Sequence, residues 1–242
     1  MEPVEGSIVE EERAADSPLV ASIRRVRYVR DLTEVVLPDG TWDLLFMRLA
    51  GGPVIAVQTG QIVAPLPVHH AAGDEMLVLA FKPEVYMPRL PGHQTFQRGV
   101  ARPVEHERRF WIDSERLELP SFDNAEHLVA AMAHKGLLER DPVVVRALQG
   151  ARQRLDERSV QRHFAAVTGL SLKGFQQIAR AREAAHLLAA GQPPSQVAAA
   201  LAFTDQSHLT HSLKRFLGQT PGRLARQGAT TPSAASQGAP RP

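Results

Sequence analysis

Residues 195–221 read SQVAAALAFTDQSHLTHSLKRFLGQTP. Ser195 is placed to cap a short alanine-rich helix, whose small side chains let a second helix approach closely. The FTDQS stretch at 203–207 makes a turn, and Asp205 or Ser207 starts the next helix. Leu209, Leu213 and Phe216 recur at i, i+4 and i+7, so they share one inward face. Outward lie Gln206, Ser207, His208, Thr210 and His211, followed by Lys214 and Arg215. Hydrogen-bonding groups near a helix start and cations further along are what a helix needs to meet base edges in a major groove while its neighbours grip phosphate.

A second segment of the same kind lies upstream, RLDERSVQRHFAAVTG at 154–169. Asp156 is the expected N-cap, and Val160, Phe164 and Val167 form the buried face. Arg158, Ser159, Gln161, Arg162 and His163 are expected on the opposite face, in reach of bases and phosphates. Taken alone, this pattern also suits an ordinary amphipathic surface helix.

DQSHLTHSLKRFLGQTP closely resembles the signature of the AraC/XylS transcriptional regulators. SVQRHFAAVTGLSLKGFQQIARAREAAHLLAAG is similar to the first recognition helix and long connecting helix of the same domain. Order and spacing agree across about 70 residues. The resemblance implies two helix-turn-helix subdomains joined by a helix at about Ser171–Ala190, with Phe175, Ile178, Ala185 and Leu188 seating that helix against both. It implies sequence-specific binding of double-stranded DNA at Arg158, Ser159, Gln161 and Arg162 in the first unit. In the second, Gln206, Ser207, His208, Thr210 and His211 would read bases, with Lys214 and Arg215 nearer phosphate. One departure stands out. The family pattern places a supporting helix of roughly ten residues before the first recognition helix, whereas here GARQR alone follows the short helix PVVVRALQ. Either PVVVRALQ supports the first unit by itself, or the second unit dominates specificity.

The charge distribution agrees with such a partner. The chain of 242 residues carries a net +2, but residues 1–140 hold 15 Lys/Arg against 21 Asp/Glu, a net −6, while residues 141–228 hold 12 against 5, a net +7. A cationic segment beside an acidic one is the footprint of a nucleic-acid binder, because each Lys or Arg that meets a phosphate releases counterions. There is no cysteine, which excludes disulfides, thiolate zinc sites and cysteine nucleophiles.

The expected class is α+β: a small β-rich N-terminal domain, for which the family resemblance implies a cupin-like form, followed by an all-α double helix-turn-helix domain. Residues 1–20 are acidic and aperiodic and are expected to lack order, as is the Ser/Pro/Gly/Ala-rich tail 228–242. Between Ile23 and Lys82, short apolar runs are broken by turn signals at Pro38–Gly40, Gly51–Pro53 and Gly73–Glu75, which reads as an antiparallel β domain within 21–120. The proline-rich stretch that follows reads as loops along its edge. At 121–140 a connecting helix is expected, with Asp123 as N-cap, Glu126 completing a capping box and Gly136 as the stop. Asp141 then caps PVVVRALQ, with Pro142 at the first helical position, and opens the DNA-binding domain at 141–227.

For the N-terminal half the resemblance implies signal sensing or dimerisation. A small-molecule effector, a homodimer and RNA polymerase are the further partners it suggests, and family habit leans toward activation. Trp42, Phe46, Phe81, Tyr86 and Trp111 are candidates for a pocket and equally for plain core. Two rival classes compete with this reading. A metal enzyme would use His69, His70, His93 or His106. However, adjacent histidines on a strand face opposite sides, the others lack a carboxylate at ligand spacing, and no nucleophile elbow or phosphate-binding loop occurs. We therefore expect no cofactor, no metal and no enzyme activity. An architectural DNA binder would be basic throughout, unlike this chain. The acidic N-terminus lacks a secretory signal pattern, and the apolar runs fall short of the roughly 20 residues that span a bilayer, so a cytoplasmic location without membrane contact is expected.

Overall fold

Strand β4 (Trp42–Arg48) alternates strictly: Trp42, Leu44 and Phe46 are buried and the residues between them are not. That period of two places one face on a core. The computed structural model describes residues 6–106, 108–151 and 156–228. The strands that flank β4 are β1 (Ile8–Arg13), β2 (Val20–Tyr28), β5 (Val54–Gln58), β7 (Glu75–Phe81) and β9 (Val100–Arg102). They form a six-stranded antiparallel sheet in the order β1-β2-β7-β4-β5-β9. Register sets Ile23 opposite Leu79 and Leu79 opposite Leu44, a row of fully buried side chains across three strands.

The remaining strands make smaller sheets. β3 (Leu32–Val36) pairs with β6 (Leu66–His70), β8 (Val85–Tyr86) with β13 (Glu139–Arg140), and β10 (Val104–Glu105), β11 (Arg109–Ile112) and β12 (Glu115–Glu118) form a three-stranded sheet. The stretch expected as edge loops therefore supplies β8 to β11 and a helical turn, α1 (Gly92–Thr95), and it buries Phe110 and Ile112 completely. Its prolines had masked strands of two to four residues.

Helix α2 (Ala125–His134) lays Leu128, Val129 and Met132 on the same core as the sheet. Its start differs from expectation: Asn124, not Asp123, is the N-cap residue, and no side chain caps it. Glu126 is engaged elsewhere, in an ion pair with Arg13 of β1, and Arg13 also donates to the Phe122 carbonyl. A charged hydrogen bond of this kind outweighs a neutral backbone cap. The same ion pair shows what became of the acidic N-terminal segment. Within residues expected to lack order, β1 pairs with β2, and its glutamates meet the arginines opposite, Glu10 with Arg24 at 3.4 Å and Glu11 with Arg25.

Four further helices follow α3 (Pro142–Leu148): α4 (Glu157–Thr168), α5 (Leu172–Ala189), α6 (Pro194–Ala200) and α7 (Gln206–Leu217), with α8 (Pro221–Gly228) closing the described chain. The chain divides into two compact units. The first holds the sheets and runs through α3 and α4 to Ser171; the second holds α5 to α8 with the short segments Val36–Gly40 and Ile62–Leu66. The division between these two units falls between α4 and α5. Among the described residues no helix is long and apolar enough to cross a membrane.

Candidate nucleic-acid interface

In the second unit α6 begins at Pro194 with Pro193 as N-cap residue, and Ser195 caps nothing. The fixed φ of proline suits the first helical position and needs no hydroxyl cap. α6 ends on Ala202 at φ +53, where Phe203 N–H returns to the Ala198 carbonyl at 2.9 Å. This is a Schellman closure with the apolar residue after it, Phe203, buried. Asp205 then caps α7, accepting from His208 N–H at 2.7 Å. Short helix, tight turn and capped second helix are thereby fixed by local signals.

Leu209, Leu213 and Phe216 are buried as the spacing predicted, joined by Ser212 and Leu217. α5 packs on α6, α7 and α8. Its buried face is Ile178, Ala181, Ala184 and Leu188. Ala185 lies one position off that face, and the Phe175 ring sits against Gly40. Small residues at 181 and 184 let the helices of this unit close on one another.

Gln206, Ser207, His208, His211, Lys214 and Arg215 are all exposed, and Thr210 is half-buried. They share the outer face of α7, but not all are free of local duties. The Thr210 hydroxyl donates to the Gln206 carbonyl at 2.8 Å. His208 Nδ1 accepts from Thr204 N–H at 3.3 Å and the ring stands edge-on to Phe203 at 5.3 Å, so His208 helps build the turn as well as facing out. Arg215 lies over the Phe216 ring at 4.9 Å. Arg180 of α5 lies over the Phe203 ring, 5.0 Å from its centroid.

α4 belongs to the first unit. Asp156 caps it as expected, accepting from Ser159 N–H at 3.0 Å and from the Ser159 hydroxyl at 2.8 Å, which holds the Asp156 carboxyl below its ordinary value. Val160, Phe164 and Val167 are buried. Arg158, Gln161 and Arg162 are exposed, whereas the Ser159 hydroxyl is committed to the cap. His163, expected to face outward, instead donates through Nε2 to Asp141 at 2.7 Å. Asp141 is buried, and its other oxygen caps α3 by accepting from Val143 and Val144 N–H at 2.9 and 2.8 Å. The sequence reading missed this bridge because its two members lie in different helices.

The aromatic side chains weighed as a pocket are largely core. Trp42 donates to the Val85 carbonyl at 2.7 Å and stacks on Phe81 at 4.3 Å, and Phe46 meets Phe110 edge-on at 5.0 Å. Tyr86 donates to Glu139 at 3.1 Å, and burial followed by that bond pushes its hydroxyl up to about 12. A cavity bordered by Trp42, Gln58, Tyr86, Leu90 and Thr168 has a volume of about 10 Å³, room for about one water. No group of three or more His, Asp or Glu among the described residues is placed to hold a metal ion.

A short helix, a closed turn and a second helix with an apolar inner and cationic outer face define a helix-turn-helix nucleic-acid-binding domain. A family model described as a helix-turn-helix domain matches residues 151–227, from just before α4 through most of α8. Residues 151–227 are thus a helix-turn-helix domain of AraC type, which supports a DNA-binding transcriptional regulator. No curated protein and no solved structure matches the chain.

Proposed function

We propose that the protein is a sequence-specific regulator that acts by binding and not by catalysis, with α7 as its principal base-reading helix and α4 as a second. The observation that carries this reading is the outer face of α7. Gln206, Ser207, His208 and His211 stand exposed over a fully buried Leu209 and Leu213, with Lys214 and Arg215 one turn further on. Polar groups at the helix start are placed for base edges and the two cations for the flanking backbone. Arg158, Gln161 and Arg162 give α4 the same character, with Ser159 and Thr210 contributing shape more than free donors. Activation through RNA polymerase, with a small-molecule effector or dimerisation at the first unit, is the working form of this reading.

Selection of bound duplexes from a random DNA pool with the full chain tests it. The expected result is a motif covering two adjacent major grooves and a specificity ratio of about 10³ or more over random duplex. A ratio near one would overturn sequence-specific reading in favour of an architectural role. Replacing Lys214 by Ala should weaken binding to all sequences alike and flatten the salt slope by about one unit; an unchanged slope would remove Lys214 from the phosphate contacts.

A further inference from the structure

α4 buries Val160, Phe164 and Val167, and the helix before it, α3, packs on it without being joined to it by a tight turn. α3 ends at Leu148 and α4 starts at Glu157, a longer separation than the three or four residues that join the helices of a tight helix-turn-helix. α3 packs on α4 and is also bonded to it through His163 and Asp141. The C-terminal end of α4 is covered from elsewhere in the first unit, by α1. There the backbones of Gly92 and Thr168–Gly169 cross so closely that a Cβ on Gly92 would lie 2.3 Å from the Thr168 carbonyl carbon. A Cβ on Gly169 would reciprocally lie 2.5 Å from the Gly92 oxygen. One residue on, His93 Nδ1 donates to the Ala166 carbonyl at 2.8 Å, satisfying an acceptor in the last turn of α4.

We propose that α1, from the N-terminal half of the chain, is the scaffold of the first DNA-reading unit, with Gly92 and His93 as positioning residues that set the angle at which α4 meets DNA. The inference rests on α4 being a reader. Two elements then hold α4 in one orientation: α3 packs on it and is bonded to its middle through His163, α1 grips its C-terminal turn, and α3 is itself tied by the bond from Asp141 N–H to the carbonyl of Glu84, just before strand β8, at 2.8 Å. DNA reading by α4 therefore depends on residues some 70 positions upstream, outside the matched segment 151–227.

The test uses full-length Gly92→Ala, His93→Ala and His93→Gln in the same duplex selection, with the thermal midpoint as a control for folding. His93→Ala should bind the two-groove site about three- to tenfold more weakly, the worth of one hydrogen bond, and lose base preference in the groove read by α4 alone. The α7 motif should persist, Gly92→Ala should lose more than His93→Ala, and His93→Gln, which keeps a donor, should recover part of the preference. Full retention of the two-groove motif in both alanine variants would overturn the proposal. If Gly92→Ala fails to fold, His93→Ala and its glutamine rescue decide. A wild-type motif confined to one groove would be a different failure, removing α4 as a reader and this inference with it.

Discussion

Ala202 holds φ +53 at the close of α6, a conformation that an L side chain occupies at a cost of about 1 kcal/mol. Glycine is the residue that adopts it freely. Ala202→Gly should therefore raise the stability of the second unit by about 0.5–1 kcal/mol despite the added freedom of the unfolded chain. Urea unfolding checks this, and a lowered midpoint would mean that the alanine methyl packs usefully. His208 carries two roles at once. His208→Ala should cost base discrimination of roughly 1–3 kcal/mol at one step and also loosen the helix start, whereas His208→Gln retains an acceptor for Thr204 N–H and should keep the stability while altering the preference. Equal stability of wild type and the alanine variant would leave His208 no part in the turn. Both residues show where sequence reading stops. Leu209, Leu213 and Phe216 as core were legible because they are periodic, and the helix start was narrowed to Asp205 or Ser207 because caps are local. The bond from Thr204 to His208 was not, because an outward polar residue gives no sign that its ring folds back.

Elements differ in the same way. α4 and α7 were legible from their caps and apolar spacing, while β1 was not: a run of three glutamates looks solvated until the arginines of β2 lie across from it. Glu126 illustrates the competition. Its place three residues after Asp123 suggested a capping box, but the Arg13 guanidinium, first by its hydrogen bond, holds the Glu126 carboxyl at about 2, well below the ordinary 4.5. A carboxyl depressed in the folded state stabilises the fold fully above its unfolded value and loses that contribution as pH falls through its folded value. Glu126→Gln should thus be less stable than wild type at neutral pH, with the gap closing between about pH 4.5 and pH 2 as the wild-type carboxylate is protonated. Urea midpoints of both proteins across that range read the effect. A gap that stayed constant down to pH 2 would show that the Arg13 pairing is not what separates them. α1 is the element least visible in the sequence, since nothing in PGHQT announces that its backbone crosses a helix so far along the chain.

At the scale of the whole molecule, two units with separate buried cores should unfold in separable transitions. Leu44→Ala in the first and Leu213→Ala in the second, both fully buried, should each lower one transition by about 2–5 kcal/mol and so assign it. The assignment gives DNA binding a readout that needs no assumption about which helix reads what. A ligand that binds only the native state adds about 2.7 kcal/mol at a hundredfold excess over Kd, and it adds it to the part of the protein whose folding creates the site. α4 is counted with the first unit and α7 with the second. The selected duplex should therefore raise both midpoints, and a scrambled duplex of equal length should raise them less. Calorimetric scans with each duplex at matched salt check this. A rise confined to the second transition would leave α7 as the reader and α4 as a buttress, because stabilisation can reach the first unit only if something folded there touches the DNA.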